Sequence, residues 1–253
     1  MTMNQGDPPM ISIECTHLSK NFGLTTALIE ITLTLKTGAI CALIGPNGAG
    51  KTTLLKTLAG LIVPSNGAAR ICGEDVICTP HKVKTKVGFI PSEERSFYWR
   101  LTGRQNLKFF AALHKINGTE GRMRIDSLLE KMGIREMGDK KFREYSTGMK
   151  QALSIARGLI HDPLVLLLDE PTRSLSPNVS QRFYDLVRRQ ASEGKTVLFA
   201  SHNLIEVENM ADFVVILHKG AIRAAGTFAE LRRQAGLLDN KGLETVYSYF
   251  IKE

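Results

Sequence analysis

Ile40-Cys41-Ala42-Leu43-Ile44-Gly45-Pro46-Asn47-Gly48-Ala49-Gly50-Lys51-Thr52-Thr53-Leu54-Leu55-Lys56-Thr57-Leu58-Ala59 decides the fold. Its centre fits the phosphate-binding pattern G-x-x-x-x-G-K-[ST]. Residues 40–44 read as a short buried strand and residues 53–59 as a helix, which is the setting the pattern needs. The glycines let the backbone turn tightly with its N–H groups inward, and the helix N-terminus adds partial positive charge. Lys51 can reach terminal phosphates, and the Thr52 hydroxyl can ligand Mg²⁺.

A chain of 253 residues with 43% hydrophobic residues can bury a real core. No apolar run approaches the roughly 20 residues that span a bilayer. Residues 1–10 show no charged-then-apolar leader pattern, so a cytosolic or membrane-docked location is expected. Cys15, Cys41, Cys72 and Cys78 lack metal-ligand spacing and sit among apolar or β-branched residues. Buried free thiols are expected at all four. The net charge of +8 suits an anionic partner. The basic residues are dispersed, without a Lys/Arg block interleaved with aromatics, so no nucleic-acid partner is expected.

Outward from the glycine loop, residues 11–15 and 25–35 alternate as antiparallel strands. Residues 67–73 and 87–90 read as further strands. Helical periodicity dominates residues 102–160. Strands return at 164–168, 196–200 and 213–217, with a helix over 180–191. Strands alternating with helices predict a mostly parallel sheet. Within it, Leu164-Val165-Leu166-Leu167-Leu168-Asp169-Glu170 is an apolar strand ending in two acids. A carboxylate at such a strand end lies near the ligand crevice. Asp169 can hold Mg²⁺ through water, and Glu170 can orient and deprotonate an attacking water.

With Tyr145-Ser146-Thr147-Gly148-Met149-Lys150-Gln151 and the following helix, the chain resembles the ATP-binding subunit of ABC transporters over nearly its whole length. The resemblance implies an α/β P-loop nucleotide hydrolase fold: a mostly parallel sheet core, an antiparallel β subdomain and an inserted helical subdomain. The core would cover 10–91 and 161–226, the helical subdomain 92–160, and a helical tail 227–253. ATP would be held by Gly45, Pro46, Asn47, Gly48, Ala49, Gly50, Lys51, Thr52 and Thr53. Phe22 would stack on adenine, and Ser92 would stand at the metal-contacting loop. Ser146 and Gly148 would touch the γ-phosphate of an opposite subunit. Lys51, Glu170 and His202 would serve catalysis, with Thr52 and Asp169 at Mg²⁺.

The chain departs from the family pattern at Ser92, where Gln is usual, with Glu93 the nearby residue able to substitute. Ser176 stands for a usual Asp and Ala152 for a common Arg. The signature form and the tail Gly242-Leu243-Glu244-Thr245-Val246-Tyr247 are similar to ABC-2 type exporters. The implied partners are ATP, a second copy or a related ATPase subunit, and an integral membrane permease. The implied place is the cytoplasmic face of a bacterial-type inner membrane. Two alternatives remain: a soluble ABC-type ATPase of translation or DNA repair, and a weakly hydrolysing regulatory subunit.

Overall fold

The computed structural model describes residues 10–92, 96–238 and 242–252. Glu93, and with it the expectation that it substitutes for the missing Gln, lies outside the described residues, as do residues 1–9.

Two sheets organise the chain. The first contains β1 (Ile11–Phe22), β2 (Thr25–Lys36), β4 (Asn66–Ile71) and the short β5 (Glu74–Asp75), all antiparallel, in the order β2-β1-β4-β5. The second runs β10-β9-β3-β8-β7-β6, with β3 (Ile40–Ile44), β6 (Val87–Ile90), β7 (Val165–Asp169), β8 (Thr196–Ala200), β9 (Phe213–His218) and β10 (Ala221–Gly226). Its strands are parallel except β10, which pairs antiparallel to β9.

Every residue of β3, β7 and β8 is buried, because both faces of this sheet are covered. Side chains alternate between faces. Ile40, Ala42 and Ile44 enter one core together with Leu166, Leu168, Val197 and Phe199. Cys41 and Leu43 enter the other, with Val165, Leu167 and Leu198. This second core is closed by the antiparallel sheet and by α1 (Lys51–Leu58), whose Leu54, Leu55 and Leu58 are fully buried. Burial of each such leucine stabilises by about 1.5–3 kcal/mol.

The first core is covered by α3 (Gly103–Leu113), α4 (Gly118–Lys131) and α5 (Thr147–Leu159), which lie in sequence between β6 and β7, and by α6 (Pro177–Ser192). α3 opens on a capping box between Thr102 and Gln105, which satisfies two otherwise orphaned N–H groups. Near the C-terminus, α8 (Phe228–Gln234) and α9 (Leu243–Ile251) send Leu231, Leu243 and Val246 into the same core.

Short elements escape the sequence pattern. They are α2 (Pro80–Lys86), α7 (Leu204–Met210) and β10, the last interrupted by Arg223. The expectation of four buried thiols needs correction. Cys15 and Cys41 are buried, Cys72 is half-buried and Cys78 is exposed. Cys78 follows a surface turn in which the Asp75 carboxylate accepts from the N–H groups of Ile77 and Cys78, so its side chain has no core to enter. Burial pushes the Cys15 thiol up to about 12.

Candidate functional site

The carboxyl ends of β3, β7 and β8 point the same way, and each releases its chain into one cavity of about 700 Å³. From β3 the chain enters the glycine loop. A Cβ on Gly45 would lie 2.1 Å from the Leu217 carbonyl oxygen, so only glycine fits there. Gly50 has φ +105° and precedes α1 directly. The first turn of α1 therefore opens its N–H groups toward the cavity.

Lys51 starts that helix. Its Nζ donates to the carbonyls of Gly45 (2.7 Å) and Pro46 (3.0 Å), so the ammonium is held inside the loop. Burial lowers the Lys51 pKa, and the nearby charges of Glu170 and Asp169 work against that shift. The Thr52 hydroxyl donates to Asp169 Oδ2 at 2.9 Å, and the Ser92 hydroxyl approaches the same oxygen at 3.4 Å. The short Ser92 side chain thus reaches the acid at the end of β7.

Glu170 continues from β7 in a left-handed conformation, φ +51°, which a non-glycine residue adopts at a cost. Its N–H donates to the Ala200 carbonyl at 3.0 Å, tying the ends of β7 and β8. Glu170 Oε2 lies 2.6 Å from His202 Nδ1. A carboxylate only accepts, so the shared proton sits on Nδ1. The imidazole is 64% exposed and lines the cavity.

Not every expected residue meets here. Phe22 ends β1 half exposed, with Lys20 Nζ 4.9 Å from its ring centre, and does not line the cavity. Ser146 caps α5 by accepting from the Met149 N–H at 3.3 Å and stays exposed. Neither it nor Gly148 lines the cavity. A Cβ on Gly148 would meet the Ser174 carbonyl at 2.9 Å, so α5 begins against the loop that follows Glu170. Thr25, Thr26, Arg173, Leu204 and Tyr247 also line the cavity and were not singled out by sequence. Thr25 and Thr26 follow the turn at Gly23, a local cue. Tyr247 arrives from α9, within the exporter-like tail 242–247, and nothing in that pattern predicts a place in the cavity.

A glycine cradle at a helix N-terminus, a buried lysine and a Thr–Asp pair on a parallel sheet define a P-loop nucleotide-binding protein. Residues 28–173 match the ABC transporter family pattern. The ABC transporter ATP-binding protein NatA of Bacillus subtilis is 36% identical over 205 residues, covering 81% of this chain and 83% of the relative. A daunorubicin resistance ATP-binding protein of Streptomyces coeruleorubidus is 36% identical over 217 residues, 86% and 68%. A solved ATP-binding subunit of an ABC transporter superposes with TM-score 0.89 at 29% identity, covering 95% of this chain and all of that one. The chain belongs to the ABC transporter family as an ATP-binding, ATP-hydrolysing subunit. Subunits of this class dimerise and work with membrane permeases. Among the described residues no helix is long and apolar enough to cross a membrane.

Proposed function

We propose that this subunit powers an ABC-2 type exporter from the cytoplasmic face of the membrane, with Glu170 and His202 acting on ATP held by the loop 45–53. The observation that carries this reading is the 2.6 Å contact between Glu170 and His202 in the cavity that also holds Lys51. The cavity fits Mg-ATP. Thr52 and Asp169 are hard oxygen donors 2.9 Å apart, as Mg²⁺ prefers, with Ser92 beside them. When bound, Mg²⁺ would neutralise charge on the phosphate oxygens.

The roles of the chain's own groups follow from their chemistry. Lys51 exchanges its two loop carbonyls for phosphate oxygens. The α1 N–H groups orient the phosphates. Glu170 accepts a proton from the attacking water and His202 fixes the carboxylate that does so. Phe22, exposed at a strand end, is available to an adenine ring. Ser146 and Gly148 lie outside their own cavity, which suits a role in the site of a second copy. We read residues 92–160 as the helical subdomain and 227–253 as the tail. The export reading draws on the names of the relatives, among them a bacitracin transport protein of Enterococcus faecalis, 36% identical over 223 residues.

Phosphate release by the purified full chain with Mg-ATP tests the site roles. Lys51→Ala and Glu170→Gln should each lower it by about a hundredfold or more. Activity within twofold of the parent in either variant would overturn that residue's role. Recovery of a permease with the tagged chain from solubilised membranes tests the export reading; recovery of ribosomes or DNA-repair proteins instead would overturn it.

A further inference from the structure

Below the catalytic pair lies a charged side chain that the functional reading leaves unused. Glu206, in α7, is only 3% exposed. Its two carboxylate oxygens face two different loops. Oε1 accepts from the Thr172 hydroxyl at 2.8 Å, and Oε2 accepts from the Ser201 hydroxyl at 2.6 Å. Thr172 stands two residues after Glu170, and Ser201 immediately precedes His202.

The polarity of this network is fixed. The Asn203 N–H donates to Ser201 Oγ at 3.0 Å, so that hydroxyl must spend its own proton on Glu206. The Asn203 side chain in turn accepts from the N–H groups of Ile205 and Glu206, which anchors the start of α7. Tyr184, from α6, lies beside Thr172 and Glu206. A buried carboxylate is expensive unless its oxygens are satisfied. Here both are satisfied by the two segments whose separation sets the Glu170–His202 distance.

We propose that Glu206 is a positioning residue for ATP hydrolysis, clamping the loop after Glu170 to the loop carrying His202 through the Thr172 and Ser201 hydroxyls. The clamp's hydrogen bonds go to neither Lys51 nor the glycine loop, and Glu206 and Thr172 do not line the nucleotide cavity, which only Ser201 of the three reaches. It should therefore govern turnover and leave nucleotide binding alone. Glu206→Gln keeps the size but replaces one acceptor with a donor. Whichever way the amide is turned, one of the two hydroxyls, Thr172 or Ser201, then faces its NH2 and must direct its own proton elsewhere. The proposal rests on Glu170 and His202 being the catalytic pair.

The test measures kcat, KM for ATP and melting temperature on the full chain with Mg-ATP. Glu206→Gln should lower kcat about tenfold with KM within twofold, the signature of a group that matters only in the transition state. Adding Thr172→Val and Ser201→Ala to Glu206→Gln should lower kcat no further, because all three act as one unit. Unchanged kcat in Glu206→Gln, equal losses in kcat and affinity, or fully additive losses would each overturn the proposal. Should Glu206→Gln fail to fold, Thr172→Val and Ser201→Ala decide instead: each should cost about threefold in kcat at constant KM. Parent-level kcat in both overturns it. Glu170→Gln and His202→Ala separate the two layers. If they keep full kcat, the clamp falls with the catalytic pair; if they lose it while Glu206→Gln does not, the clamp alone falls.

Discussion

At the scale of single residues, His161 shows how burial sets charge. It follows α5, and its Nε2 donates to the Val87 carbonyl at 3.0 Å. Its ring stacks on His114 with centroids 4.0 Å apart and planes 4° apart. Among the described residues, its Nδ1 is buried without a hydrogen-bond partner. Burial first, and the neighbouring His114 second, push the His161 pKa down to about 4. The unfolded chain takes up this proton near pH 6.5, so between pH 6.5 and 4 it binds more protons at this site than the folded chain. Stability from His161 is thus present above pH 6.5 and lost as pH falls toward 4. Between pH 7 and pH 5 the loss is about 2 kcal/mol. His161→Phe keeps a flat ring against His114 and cannot ionise. Urea unfolding at the two pH values should show a pH-dependent loss smaller by that amount in the variant; an equal loss would show that His161 is not the group responsible.

At the scale of elements, the helix behind the signature run is seated by two glycines. A Cβ on Gly88 in β6 would lie 2.3 Å from the Gly158 carbonyl of α5 and 2.8 Å from Pro163. A Cβ on Gly158 would lie 2.6 Å from the Ile90 side chain. α5 therefore packs on the edge strand at nearly backbone distance. The same helix holds the loop after Glu170, since Gln151 Nε2 donates to the Pro171 carbonyl at 3.1 Å within the buried interior. Gly88→Ala must push α5 away, because a backbone carbonyl cannot rotate aside as a side chain can. The expected cost is about 1–3 kcal/mol of stability, read from urea unfolding. Gly158→Ala meets a flexible isoleucine and should cost less. Equal stability of Gly88→Ala and the parent would mean that the helix seat is looser than this packing implies.

Elements also show what sequence reading can reach. Strands β3, β7 and β8 were legible because runs of four or five consecutive apolar residues between breakers have few other readings. Lys51 and Thr52 were legible through the glycine pattern that leads from β3 into α1, and Asp169, Glu170 and His202 because they stand at or just past the ends of β7 and β8. α7 was not: its third residue, Glu206, is charged and yet buried, which inverts the pattern that marks an amphipathic helix. The Ser201 and Thr172 hydroxyls that make this burial tolerable are 29 residues apart and meet only in three dimensions. Tyr247 reaches the cavity for the same reason, through the packing of α9 on the core. Ser92, which replaces a usual Gln, follows β6 closely enough to lie 3.4 Å from Asp169.

At the scale of the whole molecule, the cavity holds only part of the machinery the family pattern assigns to ATP. Lys51, Glu170 and His202 line it; Ser146 and Gly148 do not, and Ser146 is exposed at the start of α5. A second copy, turned head to tail, would bring that exposed helix start to the mouth of the first cavity and complete two sites at once. The terminal phosphate would then touch both chains, which supplies the differential affinity that any ligand-driven closure requires. On this reading hydrolysis would remove that contact and open the pair. Glu170→Gln keeps the size of the side chain but cannot accept the water's proton, so it should hold the closed state. Size-exclusion chromatography with Mg-ATP should therefore show Glu170→Gln as a dimer, and without nucleotide as a monomer. Adding Lys51→Ala should return the protein to a monomer even with Mg-ATP, because the phosphates that join the chains are no longer held. A Glu170→Gln variant that binds ATP and still elutes as a monomer would sink the shared site, and the exposed start of α5 would then need another partner.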